Sequence, residues 1–327
     1  VITLLEALLA ALLITLTMIG VFHLSVSFSL LLGAIGCATA PASTIMTIRQ
    51  YKAKGPFVDT ILQVVALDDA VALIAFSVCA AIAQSLNASG RMDAGAVVLP
   101  LVINILAVGV GVGLGFLLKW LISERRSQEH RLVLVVGVLM GLTGLCTLFD
   151  VSPLLSCMAL GTAYVNCGGN KNLFKQVNRF TPPILLLFFV RSGLCFDLGA
   201  LFSASPDGSE SLLTIGILYF FARIIGKYAG AWLGCRTAGL SQPVCRCLGL
   251  ALIPQAGVSI GLAALCARTL GDGIGSDLYT IIMASSVLYE LIGPGCAKLA
   301  LYLSHSYTPA PKPEHRTAAV PELASNS

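Results

Sequence analysis

The stretch "LQVVALDDAVALIAFSVCAAI", residues 62–82, places two adjacent aspartates, Asp68 and Asp69, inside a long apolar run. The run is long enough to cross the hydrocarbon core of a bilayer, which takes about 20 residues of helix. An unpaired charge at the centre of such a helix costs ~2.5–3.5 kcal/mol, so charged residues there pair, face water or serve an ion path. The stretch therefore predicts a membrane helix whose aspartates pair with other charges, face water or belong to an ion path.

The composition of the 327-residue chain is that of an integral membrane protein. Hydrophobic residues make up 57% of it and charged residues 11%, whereas a soluble domain carries about 25% charged residues. The net charge of +4 is small, and no cluster of Lys and Arg with interleaved aromatics indicates a nucleic-acid partner. Eleven cysteines lie mostly in apolar runs, without the spacing of metal or redox motifs. We therefore expect the lipid bilayer as a partner and no cofactor.

Ten apolar stretches are long enough to count as transmembrane helices, so the sequence predicts an all-α, ten-span protein. The glycine-rich "GVGVGLGF", residues 109–116, lies inside the fourth stretch and indicates close helix packing rather than a phosphate-binding loop. The Pro- and Ala-rich residues 305–327 predict a disordered tail. The predicted spans are residues 1–21, 26–48, 58–86, 95–121, 131–149, 152–167, 181–203, 211–235, 244–270 and 277–303.

The basic residues alternate between the two sides of this predicted topology. Fifteen lie in or beside every second loop and in the tail, whereas only Arg91 and Arg268 lie in the remaining loops. Because loops rich in Lys and Arg stay in the cytoplasm, both ends of the chain are predicted to be cytoplasmic. The fifteen are Arg49, Lys52, Lys54, Lys119, Arg125, Arg126, Arg131, Lys171, Lys175, Arg179, Arg236, Arg246, Lys298, Lys312 and Arg316.

Seven ionisable side chains fall inside the predicted spans, and their charges do not cancel. Counted as ionised, four carboxylates face three cations, so one carboxylate has no protein partner. A metal cation or a proton could supply the missing positive charge. The seven are Glu6, Asp68, Asp69, Arg191, Arg223, Lys227 and Glu290.

Asp68 and Asp69 are predicted to have different roles. Neighbouring residues of a helix point about 100° apart, so one aspartate can pair with a helix-borne cation while the other faces an aqueous cavity. Burial and the adjacent like charge both favour the protonated form of at least one carboxyl, which could then exchange a proton for a metal cation. The alternative is that both aspartates only join helices through Arg223 or Lys227, although one ion pair needs only one aspartate.

The two cations on the eighth predicted span also differ in chemistry. A buried lysine can lose its proton and an arginine does not, so Lys227 could release a proton when a cation arrives beside it. Arg223 lies one turn away on the same helix face. Its permanent charge suits a structural ion pair with Glu290 or Glu6.

Two predicted spans contain a proline among polar and small residues near their middle. Span two reads "GCATAPASTIM" around Ala40 and Pro41, and span nine reads "LALIPQAGVSIG" around Pro254 and Gln255. Each proline removes a backbone donor and disturbs the preceding turn. Either one alone could be a simple kink, but the matched pair favours two interrupted, crossing helices with a binding site between them, as in inverted-repeat transporters.

The three spans around each interruption form the predicted domains. Residues 1–86, with the broken helix 26–48, are expected to be the first core repeat, and residues 211–304, with the broken helix 244–270, the second. The repeats begin seven spans apart, so they run through the membrane in opposite directions. Residues 87–210 are expected to supply the connecting and interface spans.

Four motifs, in this order, carry a resemblance to a known family. They are "LLGAIGCATAPASTIMTIRQYKAKGPFVDTILQVVALDDAVALI" at 31–74, "FARIIGKYAGAWLG" at 221–234, "LGLALIPQAGVSIGLA" at 248–263 and "SSVLYELIGP" at 285–294. Together they resemble the sodium/proton antiporter superfamily, specifically its bacterial monovalent cation:proton antiporters. The similarity covers about residues 1–304.

The resemblance implies a secondary transporter that exchanges a monovalent cation for protons by alternating access. Na⁺ is the favoured cation and K⁺ the alternative. In such proteins a mobile core slides against a dimerisation domain, which implies a homodimer in the plasma (inner) membrane. Asp69 would be the principal, transient cation ligand, and Asp68 would pair with Lys227. A pair of aspartates is associated with electrogenic exchange.

The chain departs from the family pattern in two respects. Some relatives have an acidic residue in the first helix break, where this chain has Thr39, Ala40 and Pro41. The Thr39 hydroxyl and backbone carbonyls would then have to contribute to cation binding. Relatives also have twelve or thirteen spans, so we expect two or three further spans to precede the first one here.

Three other functions compete with this interpretation. A potassium/proton efflux member of the same superfamily normally carries an added cytoplasmic nucleotide-binding domain, for which the tail is too short. A sodium-coupled organic-anion symporter of the same fold would not need a lysine beside paired aspartates. An intramembrane aspartyl protease needs aspartates on two facing helices, whereas Asp68 and Asp69 are neighbours on one, so no enzyme activity is predicted.

Overall fold

A computed structural model describes residues 1–89, 94–122, 127–149, 153–169, 172–194, 199, 202, 211–270 and 273–307. The regular elements of these described residues are the helices α1 (Ile2–Phe22), α2 (Val26–Cys37), α3 (Pro41–Gln50), α4 (Pro56–Ser89), α5 (Ala94–Leu121), α6 (Gln128–Leu148), α7 (Pro153–Asn166), α8 (Asn172–Leu194), α9 (Leu212–Thr237), α10 (Gln242–Ala251), α11 (Gly257–Leu270) and α12 (Ile274–Leu303). Six of them contain a stretch long and apolar enough to cross a membrane, namely α1, α4, α5, α6, α9 and α12. The predicted all-α membrane class is confirmed, whereas the ten spans and the inverted repeats stay predictions.

Helices are interrupted at both prolines that the sequence singles out. One gap separates the end of α2 at Cys37 from the start of α3 at Pro41, and the other separates Ala251 of α10 from Gly257 of α11. Pro41 stands in the first turn of α3, where a missing backbone N–H breaks no helical hydrogen bond. The second proline lies within the other gap. Each gap leaves carbonyls of the preceding helix end without an intrahelical partner.

Buried apolar side chains form separate cores. The largest joins α1, α2, α4, α9, α11 and α12 and includes Leu31, Tyr219 and Ile281. A second core lies where α3, α4, α9, α10 and α12 meet. A third joins α5, α6, α7 and the start of α8, and it includes Leu142 and Leu160. The helices α5–α8 therefore share a core of their own, beside the helices that contain the two gaps.

The glycine-rich stretch of α5 packs closely against α7. A Cβ added to Gly111 would overlap the carbonyl of Ser156, and one added to Gly115 would also meet the α7 backbone. The intervening Gly109 and Gly113 have nothing within 4 Å of the added atom. Close helix packing at this stretch is therefore confirmed for two of its four glycines, which lie one turn apart on one face.

Two regions differ in extent from the sequence prediction. The seventh predicted span is residues 181–203, whereas α8 begins at Asn172. The first turns of α8 expose Lys175 and Arg179, and because these residues are charged, they do not belong to the apolar stretch that defines the predicted span. At the other end, the Lys54 N–H donates to the carbonyl of Ser306 at 3.1 Å, so the first residues of the predicted tail lie against the loop after α3. The rest of the predicted tail, 308–327, lies outside the described residues.

Candidate functional site

The two gaps meet at a backbone hydrogen bond. The N–H of Ala40, in the first gap, donates to the carbonyl of Pro254, in the second, at 2.8 Å. Thr44, in the first turn and a half of α3, donates its hydroxyl to the carbonyl of Ala251 at the end of α10, at 3.0 Å. The two interrupted helices therefore touch each other at their breaks.

Arg223 of α9 binds carbonyls at both gaps. Its guanidinium donates to the carbonyls of Gly36, Ala38 and Ile253 at 2.8, 2.7 and 2.7 Å, respectively. The guanidinium carbon also lies 4.6 Å from the centre of the Tyr289 ring. Arg223 is 0% exposed. A guanidinium has five N–H donors in a fixed plane, so this one side chain satisfies buried carbonyls on both sides of the crossing.

Glu290 and Glu6, the predicted partners of Arg223, lie elsewhere. Glu290 of α12 accepts a hydrogen bond from the Ser43 hydroxyl of α3 at 2.9 Å, and Glu6 contacts Lys227. The structure thus does not bring Arg223 to either carboxylate. The physical reason is that the helix breaks leave buried carbonyls free, and a buried carbonyl without a donor costs about 1–3 kcal/mol.

Lys227 of α9 is the centre of a fully buried polar cluster. Its Nζ lies 2.8 Å from Glu6 Oε2 of α1, 2.9 Å from Thr39 Oγ1 in the first gap, and 3.1 Å from Asp68 Oδ2 of α4. Glu6, Asp68 and Lys227 are each 0% exposed. The Thr39 hydroxyl and the Asp68 carboxylate accept hydrogen bonds from Nζ, whereas Glu6 contributes its charge at 2.8 Å without accepting one. The structure brings Lys227 to Asp68, the partner that the resemblance implies, and adds Glu6 and the Thr39 hydroxyl.

Close packing of α1 and α9 explains why Glu6 reaches Lys227. A Cβ added to Gly226, Gly230 or Gly234 of α9 would lie 2.7, 2.5 or 2.8 Å from the nearest Cα atom of α1, which for Gly230 is that of Glu6. Sequence reasoning treats Glu6 as a structural charge and misses this contact. The signal that could have found it is the repeat of glycine every four residues in "GKYAGAWLG", which is typical of membrane helices in close contact.

Asp69 has an environment different from that of its neighbour. Its side chain is partly exposed, and its Oδ1 is buried without a hydrogen-bond partner among the residues that the structure describes. Within that same set of residues, the ion pairs around this site join Lys227 to Glu6 and to Asp68, and none includes Asp69. One aspartate is therefore paired and the adjacent one lacks a countercharge.

A cavity of about 470 Å³ borders the same segment of α4. Its lining comes from α4, α5 and α7 and includes Ala70, the residue after Asp69. The polar side chains of Thr162 and Asn166 also line it, together with apolar residues. This space lies beside the segment that carries the two aspartates, although neither aspartate lines it.

Gln255 joins the second gap to the first interrupted helix. Its side-chain nitrogen donates to the carbonyl of Ile35 at 3.2 Å and to the Ser259 hydroxyl at 2.9 Å. The Tyr219 hydroxyl donates to its Oε1 at 3.1 Å. Because Gln255 is 0% exposed, these bonds replace the contacts it would make with water and hold the gap against α2.

The charged groups around the gaps leave an excess of one negative charge. When all are ionised, Glu6, Asp68 and Asp69 are negative and Arg223 and Lys227 are positive. A net charge in a membrane interior is costly, so the cluster favours the uptake of one monovalent cation or one proton. Among the described residues, Asp69 forms an ion pair with neither Arg223 nor Lys227.

Comparison with known proteins gives one finding that bears on this arrangement. The family model described as "Sodium/hydrogen exchanger, transmembrane" matches residues 1–299. The comparison with curated proteins found no match. The matched range contains both helix gaps and every residue of the charged cluster.

Proposed function

The chain belongs to the sodium/hydrogen exchanger family, and we propose that it exchanges Na⁺ for protons by alternating access, with Asp69 as the site that the two ions share. The family is one of transporters, and the apolar helices support a multi-pass protein in a membrane. Cation:proton antiport is therefore the activity of the chain. The choice of Na⁺ over K⁺ and the roles of individual residues are the proposal.

The observation that carries the proposal is the unpartnered carboxylate of Asp69. Its Oδ1 is buried without a partner among the described residues, one residue away from an aspartate that is already paired with Lys227. A partly buried carboxylate without a countercharge attracts a cation or a proton. Because either ion removes the charge that attracts the other, Na⁺ and H⁺ compete for Asp69. That competition couples their movements in opposite directions.

We also propose that the exchange moves net charge. A cation bound beside Asp68 and Asp69 repels the positive charge of Lys227, which weakens the 3.1 Å contact between Lys227 and Asp68. The cluster around that contact then holds a proton less strongly and releases it, in addition to the proton displaced from Asp69. More than one proton therefore leaves for each cation that binds.

The arrangement of helices supports an inverted-repeat topology of ten spans. Each pair of half-helices, α2–α3 and α10–α11, is counted as one span, and each lies between two long helices in sequence, α1 and α4 or α9 and α12. We propose that both ends of the chain face the cytoplasm of the cell, in the plasma membrane, and that the protein is a homodimer. In this topology the cavity beside Ala70 faces the cytoplasm, since Asn166 lies at the cytoplasmic end of α7.

The experiment is ion exchange by the purified protein in lipid vesicles that contain a pH-sensitive dye. An imposed Na⁺ gradient should drive protons in the opposite direction, and a K⁺ gradient should do so more weakly. Replacing Asp69 with Asn should slow exchange about thirtyfold or more, because losing one partner of a desolvated charge interaction costs about 2–5 kcal/mol. The matched control is Asp59→Asn, which removes an exposed aspartate at the start of the same helix. Parental exchange by Asp69→Asn would refute the assignment.

The charge moved per cycle needs a separate measurement. Current from protein reconstituted on a solid-supported membrane should follow an imposed Na⁺ step in the parent. The Asp68→Asn variant should show a smaller current per proton moved, because the cluster that supplies the additional proton is changed. Equal currents per proton in the two proteins would contradict electrogenic exchange through this cluster.

A further inference from the structure

Lys227 has two carboxylate partners, and the nearer one is Glu6 rather than Asp68. Its Nζ lies 2.8 Å from Glu6 Oε2, compared with 3.1 and 3.4 Å from the two carboxylate oxygens of Asp68. The Glu6 contact is an ion pair by distance, since neither Glu6 oxygen has a hydrogen-bond partner among the described residues, whereas both Asp68 oxygens accept from Lys227. Glu6 therefore gives Lys227 a second negative charge, beside that of Asp68, at ion-pair distance.

The two contacts differ in how freely they can open. Glu6 and Lys227 stand on α1 and α9, whose backbones touch because Gly226, Gly230 and Gly234 lack side chains on that face. Separating this pair would require α1 and α9 to move apart, although they are packed along several turns. Asp68 stands on α4, and the glycine face of α9 is directed at α1. The contact of Lys227 with Asp68 is therefore the one that can break while the helices keep their packing.

We propose that Glu6 is a positioning residue that keeps Lys227 paired when Asp68 leaves it, so that Asp68 can join Asp69 around the bound cation. The inference rests on the proposed function, since it needs a cation at Asp69. Lys227 keeps one carboxylate and the Thr39 hydroxyl as partners until the cluster releases its proton, so the departure of Asp68 leaves no buried ammonium without a partner. The cation then binds between two adjacent carboxylates instead of one.

Removing the charge of Glu6 should weaken Na⁺ binding by making Asp68 harder to separate from Lys227. Glutamine keeps an oxygen that can accept from Lys227, but it lacks the negative charge. Among the described residues, Asp68 then becomes the only carboxylate in an ion pair with Lys227, and Na⁺ must compete with the ammonium for it. We expect the Kd for Na⁺ to rise about tenfold in Glu6→Gln, which is the size typical of coupling between groups in contact.

The test is Na⁺ binding by titration calorimetry on the purified protein, because binding can be measured in variants that no longer transport. Glu6→Gln should raise the Kd about tenfold, and Glu6→Asp, which keeps the charge on a shorter side chain, should raise it less. The matched control is Glu129→Gln on the exposed first turn of α6, and it should leave the Kd unchanged. A Kd in Glu6→Gln equal to that of the control would overturn the proposal.

A double-mutant cycle with Lys227→Met separates positioning from a general effect of charge. If Glu6 acts through Lys227, then Glu6→Gln should change the Kd less than twofold once Lys227 is methionine. The same factor in both backgrounds would mean that Glu6 attracts the cation only by its charge, and the positioning role would be wrong. Asp69→Asn is run in parallel: if it binds Na⁺ like the parent, the proposed function fails and the inference fails with it. If Asp69→Asn loses binding while Glu6→Gln keeps it, only the inference fails.

Discussion

The contact between α1 and α9 at Gly230 predicts that Gly230→Ala destabilises the protein, although alanine favours a helix more than glycine does. A Cβ at this position would lie 2.5 Å from Glu6 Cα, 2.7 Å from the Leu5 carbonyl oxygen and 3.1 Å from the Glu6 nitrogen. All three are backbone atoms, so no side chain can rotate away. Carbon atoms in contact are about 3.5–4.0 Å apart. In Gly230→Ala the backbone of α1 must therefore withdraw by about 1 Å at Glu6.

This movement should affect both stability and the ion cluster. Overpacking of this kind costs about 1–3 kcal/mol, which exceeds the gain of about 1 kcal/mol that alanine has over glycine in a helix. If the Glu6 carboxylate moves with its backbone, its 2.8 Å contact with Lys227 lengthens by up to about 1 Å, which weakens the attraction between the two charges. Gly230→Ala should therefore be less stable than the parent and should bind Na⁺ more weakly, in the same direction as Glu6→Gln.

Thermal unfolding in detergent, followed by fluorescence, measures the first effect, and Na⁺ titration the second. Gly216→Ala is the matched control on the same helix, because its added Cβ would meet only Ile281 and Ser285 side chains at 4.0 Å. That contact is ordinary, so the control should be as stable as the parent or more stable. Because both variants gain the same helix propensity, we expect them to differ in the free energy of unfolding by the overpacking cost of about 1–3 kcal/mol. Equal stability of Gly230→Ala and Gly216→Ala would refute the reasoning about the α1–α9 contact.

Three further substitutions follow from the same structure. Gly111→Ala on α5 should lower the unfolding temperature through overlap with the α7 backbone, costing about 1–3 kcal/mol, whereas Gly113→Ala, with nothing within 4 Å, should not. Arg223→Lys should destabilise the protein by about 3 kcal/mol in chemical unfolding, because one ammonium cannot reach all three carbonyls and each hydrogen bond to a charged group contributes about 1.5–3 kcal/mol; an unchanged midpoint would contradict this. Glu290→Gln keeps the acceptor for the Ser43 hydroxyl, so vesicle exchange should stay within twofold of the parent, and a large loss would assign Glu290 to the ion path.

The features of the fold that depend on local chemistry could be predicted from the sequence. Pro41 and Pro254 each stand among small and polar residues in an apolar span, and both gaps fall next to them. A proline alone does not decide the matter, because Pro294 lies inside α12 without ending it. The run around the two aspartates is apolar enough to be recognised as membrane helix, and α4 covers it from Pro56 to Ser89. The start of α8 could not be predicted from hydropathy, because a helix continues through polar residues that it exposes at its end.

The partners of the buried charges depend on which helices touch, and this is where sequence reasoning was incomplete. Charge type alone allows Arg223 to pair with any carboxylate in the membrane, and it does not show that the helix gaps supply carbonyls for the same guanidinium. Glu6 lies more than 200 residues from Lys227 in the sequence, so only the helix contact brings them together. The glycine repeat of α9 indicates that some helix packs closely there, but it does not identify α1 as that helix.

The difference between the two buried cations bears on the mechanism. Arg223 donates to three carbonyls that belong to both gaps, so moving it would leave several buried carbonyls without donors at once. It cannot serve as a movable countercharge for an aspartate, since it stays where the crossing of the broken helices needs it. Lys227 has a single charged group shared between Glu6 and Asp68, and one of these contacts can open while the other is kept. The proposed role of Asp69 depends on this difference, because neither buried cation forms an ion pair with it among the described residues and a metal cation or a proton would supply the positive charge.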